Sequence, residues 1–380
     1  MTLPLFSIII PTHNRAEMLM GCLKTIENLD DDCSFEVIVV GNNCTDHTEI
    51  TCSEFSFVKY VEEPRTAFSK ARRTGFESSH GEILVFLDDD ARLWPGSLDA
   101  INEIFSNYPS CGLIAGRLEP AYEVDPPSWA LELQQKKNAW SLLSLPPNEA
   151  GTLVRDLDSA YGPLIAVTRE TYKSSGGFPP DTIGVETNVG GRQFSKWYVG
   201  PGDYGLSVQV RKLGLEVIYS ADVGAYHFVS NFRMTPQFWF SRFYGEGFYL
   251  AVSDLMFWRE TPTSIAWKAL ERLGKALVAM ALEAMIFRPK ATRQQIRKEQ
   301  LDAIEQLSYC FMATMLLRHR NLGKLLWAMA RDGVSDTDLD RSIANLPELF
   351  VLKAVPMEIR DEDVSSLVRK TFRYLFLSRR

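Results

Sequence analysis

Four short apolar runs at regular intervals constrain this chain more than anything else in it. Residues 5–10, 35–40, 57–61 and Ile83–Leu87 each read as a buried strand. Between them lie helical patterns. Residues 15–28 place Leu19, Leu23 and Ile26 on one face, residues 69–79 form another helix, and Asn42-Asn43-Cys44-Thr45-Asp46 is a turn ending in helix-capping residues. Strand and helix in alternation mean βαβ units, hence an α/β fold with a mostly parallel sheet flanked by helices. Such sheets bind ligands off the carboxyl ends of their strands. Every one of those ends is polar here: Pro11-Thr12-His13-Asn14, Gly41-Asn42-Asn43, Glu62-Glu63-Pro64-Arg65 and the triplet Asp88-Asp89-Asp90.

Three acids where a buried strand stops face a crevice, and carboxylates in a crevice want a cation. A hard divalent ion takes one or two carboxylates and completes its shell with substrate phosphates, so a metal-held diphosphate is the natural ligand. Taken alone, the triplet reads equally well as a solvated turn. No G-x-G-x-x-G and no G-x-x-x-x-G-K-[ST] is present, which counts against a dinucleotide dehydrogenase and a P-loop enzyme. A net charge of −7 argues against a nucleic-acid partner, which needs a positive field. Cys22, Cys33, Cys44, Cys52, Cys111 and Cys310 form no C-x-x-C pair, and the chain opens into a strand rather than a leader pattern. A reduced, cytoplasmic compartment is therefore expected. The apolar stretch 276–287 is interrupted by Glu283 and too short to span a bilayer, leaving a protein in solution or resting on the inner face of a membrane.

Residues 112–116 read as a further strand. Pro120, Pro126, Pro127, Pro146 and Pro147 then break up the passage that follows, apart from a helix over 129–140, and this long connection reads as acceptor-side structure. Strand character returns over 161–167. Residues 181–197 read as a loop, either plain surface or one that closes over substrate. Gly200-Pro201-Gly202-Asp203 opens a helix whose apolar face is Leu206, Val210 and Leu213. An acid in a first turn is favoured by the helix dipole, so Asp203 has a structural reading beside any chemical one. A strand over 215–219 is followed by Tyr226-His227-Phe228, where the histidine reads as a packed core residue or a ligand. The aromatics between 226 and 258, among them Phe238, Trp239, Phe240, Phe243, Phe248, Phe257 and Trp258, suit a seam between domains first, and sugar stacking or a lipid surface otherwise.

From residue 262 the pattern is helical. Leu270, Leu273, Leu277, Met280, Ala284 and Phe287 mark one stripe, Arg288-Pro289 stops it, and Leu301, Ile304, Leu307 and Phe311 mark the next. A last helix after Asp363 carries Val364, Leu367, Val368, Phe372 and Leu375 with basic residues beside them. The expected division is 1–258, split into a nucleotide half of 1–118 and an acceptor half of 119–258, followed by a helical C-terminal domain of 259–380. A homodimer seam along the first helices and a peripheral membrane contact through the basic end are both open.

The ordered set Pro11-Thr12-His13-Asn14-Arg15, Asn42 to Asp46, Ser69-x-Ala71-Arg72 with Gly75, Gly81-Glu82-Ile83 and Leu87-Asp88-Asp89-Asp90 resembles the signatures of family-two glycosyltransferases with the Rossmann-like GT-A fold, over roughly residues 5–250. The resemblance implies an inverting, hexosyltransferase-type enzyme that uses a nucleotide sugar, with a UDP-linked donor expected, and Mn2+ or Mg2+. It puts Pro11, Thr12, Asn14, Arg15, Asn42, Arg72, Asp88 and Asp89 around the nucleotide sugar. Asp88 and Asp90 are the outer acids of the D-x-D motif, with Asp90, Asp88 and His227 about the metal. Gly177 lies beside the donor sugar, and Arg233 and Arg242 are placed to neutralise a departing diphosphate. Asp203 aligns with the general base of the E-D-x-[DE]-L motif, although Gly202 and Gly205 replace its other acids; Gly41, Ala67 and Arg73 also depart from the family's usual residues. As bare residues, Thr12 and Asn14 also read as a strand end and a helix cap, and Arg233 and Arg242 as surface arginines. The acceptor stays open among glycan, lipid-linked and small-molecule classes. The rival functions are a sugar nucleotidyltransferase, which would carry a lysine-containing Gly-rich loop, and a non-catalytic sugar-nucleotide or glycan-binding protein.

Overall fold

The central apolar runs become strands because they can be covered on both faces, and the first shows it: all of β1 (Phe6–Thr12) is buried. The structure, a computed structural model, describes residues 4–145, 153–179, 186–189, 192–195, 202–256, 262–285 and 297–318. After β1 come α1 (Ala16–Glu27), β2 (Phe35–Asn42), α2 (Thr48–Ser53), β3 (Val58–Glu63), α3 (Phe68–Glu77), β4 (Ile83–Leu87), β5 (Ala91–Leu93), α4 (Ser97–Asn107) and β6 (Cys111–Tyr122). The chain continues through α5 (Ser128–Lys137), β7 (Leu153–Val154), β8 (Leu164–Thr168), α6 (Arg169–Ser175), β9 (Glu186–Val189), β10 (Arg192–Ser195), α7 (Gly202–Lys212) and β11 (Glu216–Val229). Three long helices follow: α8 (Pro236–Met256), α9 (Pro262–Met285) and α10 (Lys298–Arg318). Among the described residues no helix is long and apolar enough to cross a membrane.

Two units result. The first comprises Met1–Glu123, Trp140–Asp181 and Pro201–Val229; the second comprises Val124–Ala139, Thr182–Gly200 and Ser230–Arg380. The first unit holds a mixed sheet in the order β3-β2-β1-β4-β8-β6-β11-β5, with β7 also on β11. From β3 to β4 the pairing is parallel; β8 enters antiparallel between β4 and β6, and β6 and β11 are again parallel. The chain moves from β1 outward to β2 and β3, then returns to β4 on the other side of β1. That reversal of strand order is where a crevice opens at the carboxyl ends. Thr12 stands at the end of β1 and Asp88 just after β4, so the topology brings these positions to one rim.

Helix α1 buries Leu19, Cys22, Leu23 and Ile26 on one stripe. Helix α3 lies close on the sheet because Gly75 has no side chain to meet Ile9 and Val40. Its buried face also carries Arg72.

Several expectations are corrected. Strand β6 runs through Pro120, because beyond Ala115 its edge away from β11 carries, among the described residues, a bridge from Leu118 to Leu143 and no continuous ladder for a missing N–H to break. Strand β11 runs to Val229 past a register shift between Ser220 and Gly224, so His227 lies inside a strand. Helix α5 stops at Lys137 where Asn138 turns left-handed, φ 46°. The segment read as a loop over 181–197 contains β9 and β10, which pair antiparallel with Val189 opposite Arg192. Pro146, Pro147, Phe257, Trp258, Phe287, Arg288-Pro289 and the helix after Asp363 lie outside the described residues.

In the second unit the aromatics of α8 form core: Trp239, Phe240, Phe243 and Phe248 are buried, and Trp239 stacks on Phe243 at 6.2 Å with Trp129 edge-on at 6.4 Å. Lys137 of α5 reaches Asp302 at 2.6 Å and Glu305 at 3.2 Å on α10, and Arg272 of α9 donates to Gln306 at 2.9 Å.

Candidate active site

The end of β1 and the end of β4 are joined by direct bonds. Thr12 Oγ1 donates to Asp89 Oδ2 at 2.7 Å, and Arg15 reaches Asp89 Oδ1 at 2.7 Å and Asp90 Oδ2 at 2.8 Å. Asp89 and Asp90 are buried, whereas the Arg15 side chain is 41% exposed. Burial works against the charge on Arg15, and Asp89 and Asp90 more than restore it. Pro11 is buried in β1 opposite Val40.

Asn14 and Asn42 each bond backbone groups of the rim loops. With φ 51°, Asn14 turns its Oδ1 to accept from the backbone N–H of Thr45 at 2.7 Å and of Asp46 at 3.2 Å. Asn42 donates to the carbonyls of Glu63 and Arg65 and accepts from the N–H of Ala67. Both side chains hold loops of the rim together, since these are the backbone groups that a turn leaves without ladder partners.

Asp203 is 30% exposed at the start of α7 and meets the rim through Arg72. Arg72 Nη1 donates to Asp203 Oδ1 at 2.6 Å, while Nη2 reaches Asp88 Oδ1 at 3.4 Å and the Gly162 carbonyl at 3.3 Å. The guanidinium is 2% exposed and lies over two rings, Phe68 at 4.1 Å and Phe178 at 4.3 Å. Phe178 follows Gly177, whose φ of +72° admits the backbone against the Tyr172 ring.

Buried His227 brings Nε2 within 3.5 Å of Asp90 Oδ1, and the backbone N–H of Phe228 donates to the Asp90 carbonyl. The site therefore gathers four carboxylates, Asp88, Asp89, Asp90 and Asp203, around the guanidiniums of Arg15 and Arg72, with Arg92 a third cation acting on Asp89. Burial pushes the Asp88 and Asp89 carboxyls up to about 6, with Arg72 and Arg15 respectively pulling against it and the neighbouring acids adding to it. A cation would relieve that surplus. Among the described residues no three His, Cys, Asp or Glu side chains are arranged to hold an ion unaided. Asp90 and His227 are near enough to share one, and a divalent ion bound with substrate phosphates needs no more protein ligands than that. The donor set fits such an ion, with Asp88 turned toward Arg72 instead.

The structure brings together Pro11, Thr12, Arg15, Arg72, Asp88, Asp89, Asp90, Asp203 and His227 in the first unit. Arg233 and Arg242 belong to the second, where Arg242 stands 3.4 Å from Glu246. Sequence reasoning passed over Phe68, Gly162 and Phe178. Phe68 was readable as a helical neighbour four residues before Arg72, and Phe178 stands directly after the glycine pair Gly176-Gly177, whereas Gly162 gave no signal, being brought in by the position of β8 in the sheet.

Residues 7–156 match the family model described as Glycosyl transferase family 2. The chain is similar to "Glycosyltransferase AglE" of Haloferax volcanii, 38% identical over 95 residues, 23% of this chain and 31% of that protein. It is also similar to the "GalNAc(5)-diNAcBac-PP-undecaprenol beta-1,3-glucosyltransferase" of Campylobacter jejuni, 30% identical over 105 residues, 26% of this chain and 34% of that protein. The chain spans about a third of the length of these curated relatives. Among solved structures, S. aureus TarS 1-349 in complex with UDP-GlcNAc has a TM-score of 0.45 and 16% identity, over 89% of this chain and 90% of that one.

Proposed function

We propose, on the premise of the match of residues 7–156 to glycosyltransferase family 2, a metal-dependent inverting transferase that moves a sugar from a nucleotide sugar, UDP-linked by preference, to an acceptor hydroxyl. The observation that carries the reading is the bridge through Arg72. One buried guanidinium contacts both Asp88 at the strand end and Asp203 at the head of α7, so the acid triplet and the separate acid serve one site.

Asp203 acts as general base. Its carboxylate takes the acceptor hydroxyl's proton as that oxygen bonds to the anomeric carbon, and the bond from that carbon to the diphosphate breaks. A single displacement inverts the configuration. Asp90 and His227 would hold Mn2+ or Mg2+, which supplies Lewis-acid stabilisation of the departing diphosphate when bound. Thr12 fixes Asp89, and Asp89 with Asp90 fixes Arg15, the partly exposed cation at the rim. Arg15 thus lies where a phosphate would approach. The Campylobacter jejuni relative is named for an undecaprenol-linked glycan, which puts lipid-linked sugars first among acceptors to try.

The test is nucleoside diphosphate release from UDP-glucose, UDP-N-acetylglucosamine and GDP-mannose with Mn2+. Asp203→Asn should slow release about 10²–10⁴-fold while calorimetry shows donor affinity retained. An unchanged rate removes Asp203 from the base role, and a wild-type chain that neither binds nor cleaves any donor removes the reading altogether.

A further inference from the structure

Arg72 is held too tightly to be a mobile ligand of substrate. Its guanidinium has an aromatic ring over it at 4.1 Å (Phe68) and another at 4.3 Å (Phe178), and Phe178 is itself set edge-on to Phe86 of β4 at 4.8 Å. A planar cation packed in this way has lost the freedom of its long side chain, so its hydrogen bonds are fixed in direction. One of them fixes Asp203, whose carboxylate is 30% exposed and would otherwise rotate.

The two oxygens of that carboxylate are not equivalent. Oδ1 receives Arg72 Nη1 at 2.6 Å; among the described residues no hydrogen bond reaches Oδ2. A methyl group at Gly162 would lie 2.5 Å from Oδ2 and 2.9 Å from Arg72 Nη2. The backbone at Gly162 does not have positive φ, so the glycine is not there for its conformation. What its bare Cα provides is room beside Oδ2.

We infer that Arg72 and Gly162 are positioning residues for the proton-accepting step: Arg72 anchors Oδ1 of Asp203, and Gly162 clears the space in which Oδ2 meets the acceptor hydroxyl. The inference rests on the reading of Asp203 as base. In the step, the hydroxyl proton passes to Oδ2, the oxygen's electron pair forms the new bond to the anomeric carbon, and the nucleoside diphosphate leaves with the electrons of the broken bond.

The experiment uses the full chain and whichever of UDP-glucose, UDP-N-acetylglucosamine or GDP-mannose the wild type cleaves with Mn2+. Gly162→Ala keeps every charge and should lower kcat about tenfold or more, with donor KM within about twofold, because misaiming a reacting group by an ångström is costly. Arg72→Ala should lose about 100-fold in kcat, and millimolar guanidinium chloride should return about tenfold of it by refilling the slot between the two rings. A destabilised fold would instead lose activity in guanidinium. If Arg72→Ala does not fold, Gly162→Ala carries the test. A donor KM that rises while kcat stays constant makes Arg72 a donor ligand and overturns the inference. So does wild-type kcat in Gly162→Ala. Absence of cleavage by the wild type sinks the proposed function and this inference together, whereas an active wild type with unaffected variants sinks only the inference.

Discussion

Two clusters of charge, one in each unit, are built on opposite principles. In the helical unit the signs answer one another: Lys137 meets Asp302 and Glu305, Lys298 meets Asp302 at 2.7 Å, and Arg272 extends to Glu305 at 4.0 Å. At the rim of the sheet, Arg15 and Arg72 face four acids. Neutralised charge holds helices together, and surplus charge of one sign awaits a ligand. Glu63 supplies an internal control. It is a buried acid at a strand end like the triplet, yet it accepts from Arg65 Nε and Nη2 and from Thr74 Oγ1. Hydrogen bonds from Arg65 above all bring its carboxyl down to about 2, while the Asp88 and Asp89 carboxyls go up.

The contrast can be broken at three places. The largest effect is expected at the rim: Asp90→Asn should weaken Mn2+-dependent uptake of a nucleotide sugar about 10–100-fold by calorimetry and leave the melting temperature close to wild type. A variant that melts early while binding normally would make the acid cluster structural. In the helical unit the signs of the outcome reverse. Lys137→Met should cost about 2 kcal/mol in a denaturant titration, less than a fully buried pair because the site is partly hydrated, with unchanged release of nucleoside diphosphate. The smallest effect is at Glu63, where Glu63→Gln should remove about 1–2 kcal/mol at neutral pH. A carboxyl lowered from an ordinary 4.5 to about 2 contributes its stability above 4.5 and loses it as pH falls toward 2. The gap between wild type and Glu63→Gln should therefore close across that interval, and a gap constant with pH would mean that Glu63 acts by packing.

How much of this was legible in the residues depends on whether the signal was local. Strand β4 was read to the residue because an apolar run there meets three acids, and the opening of α7 because Leu206 and Val210 repeat at helical spacing, although Leu213, read onto the same face, lies past the helix end and is exposed. The run of β11 through His227 was not, since a bulge breaks the alternation that marks a strand. The pair β9 and β10 was missed although Gly190-Gly191 between two short runs is a hairpin signal. Helix α6 was missed because it is short, yet its cap, Thr168 Oγ1 accepting from the Thr171 N–H, was present in the spacing. For the site, the acids and Arg72 could be picked by type. Which backbone groups Asn14 and Asn42 bond could not be read, because a side-chain amide bonds whatever the fold sets beside it, and sequence does not name that neighbour.

Strand β8 runs against β4 and β6. Its chain therefore arrives at the edge from which β4 departs, and Gly162 and Pro163 present their carbonyls to Arg72 and to the Asp88 amide. A doubly wound sheet with every strand aligned would have only outgoing segments there. Turning one strand about gives the chemistry an incoming segment too, and insertions or deletions ahead of Leu164 could retune the reaction without disturbing any strand that frames it.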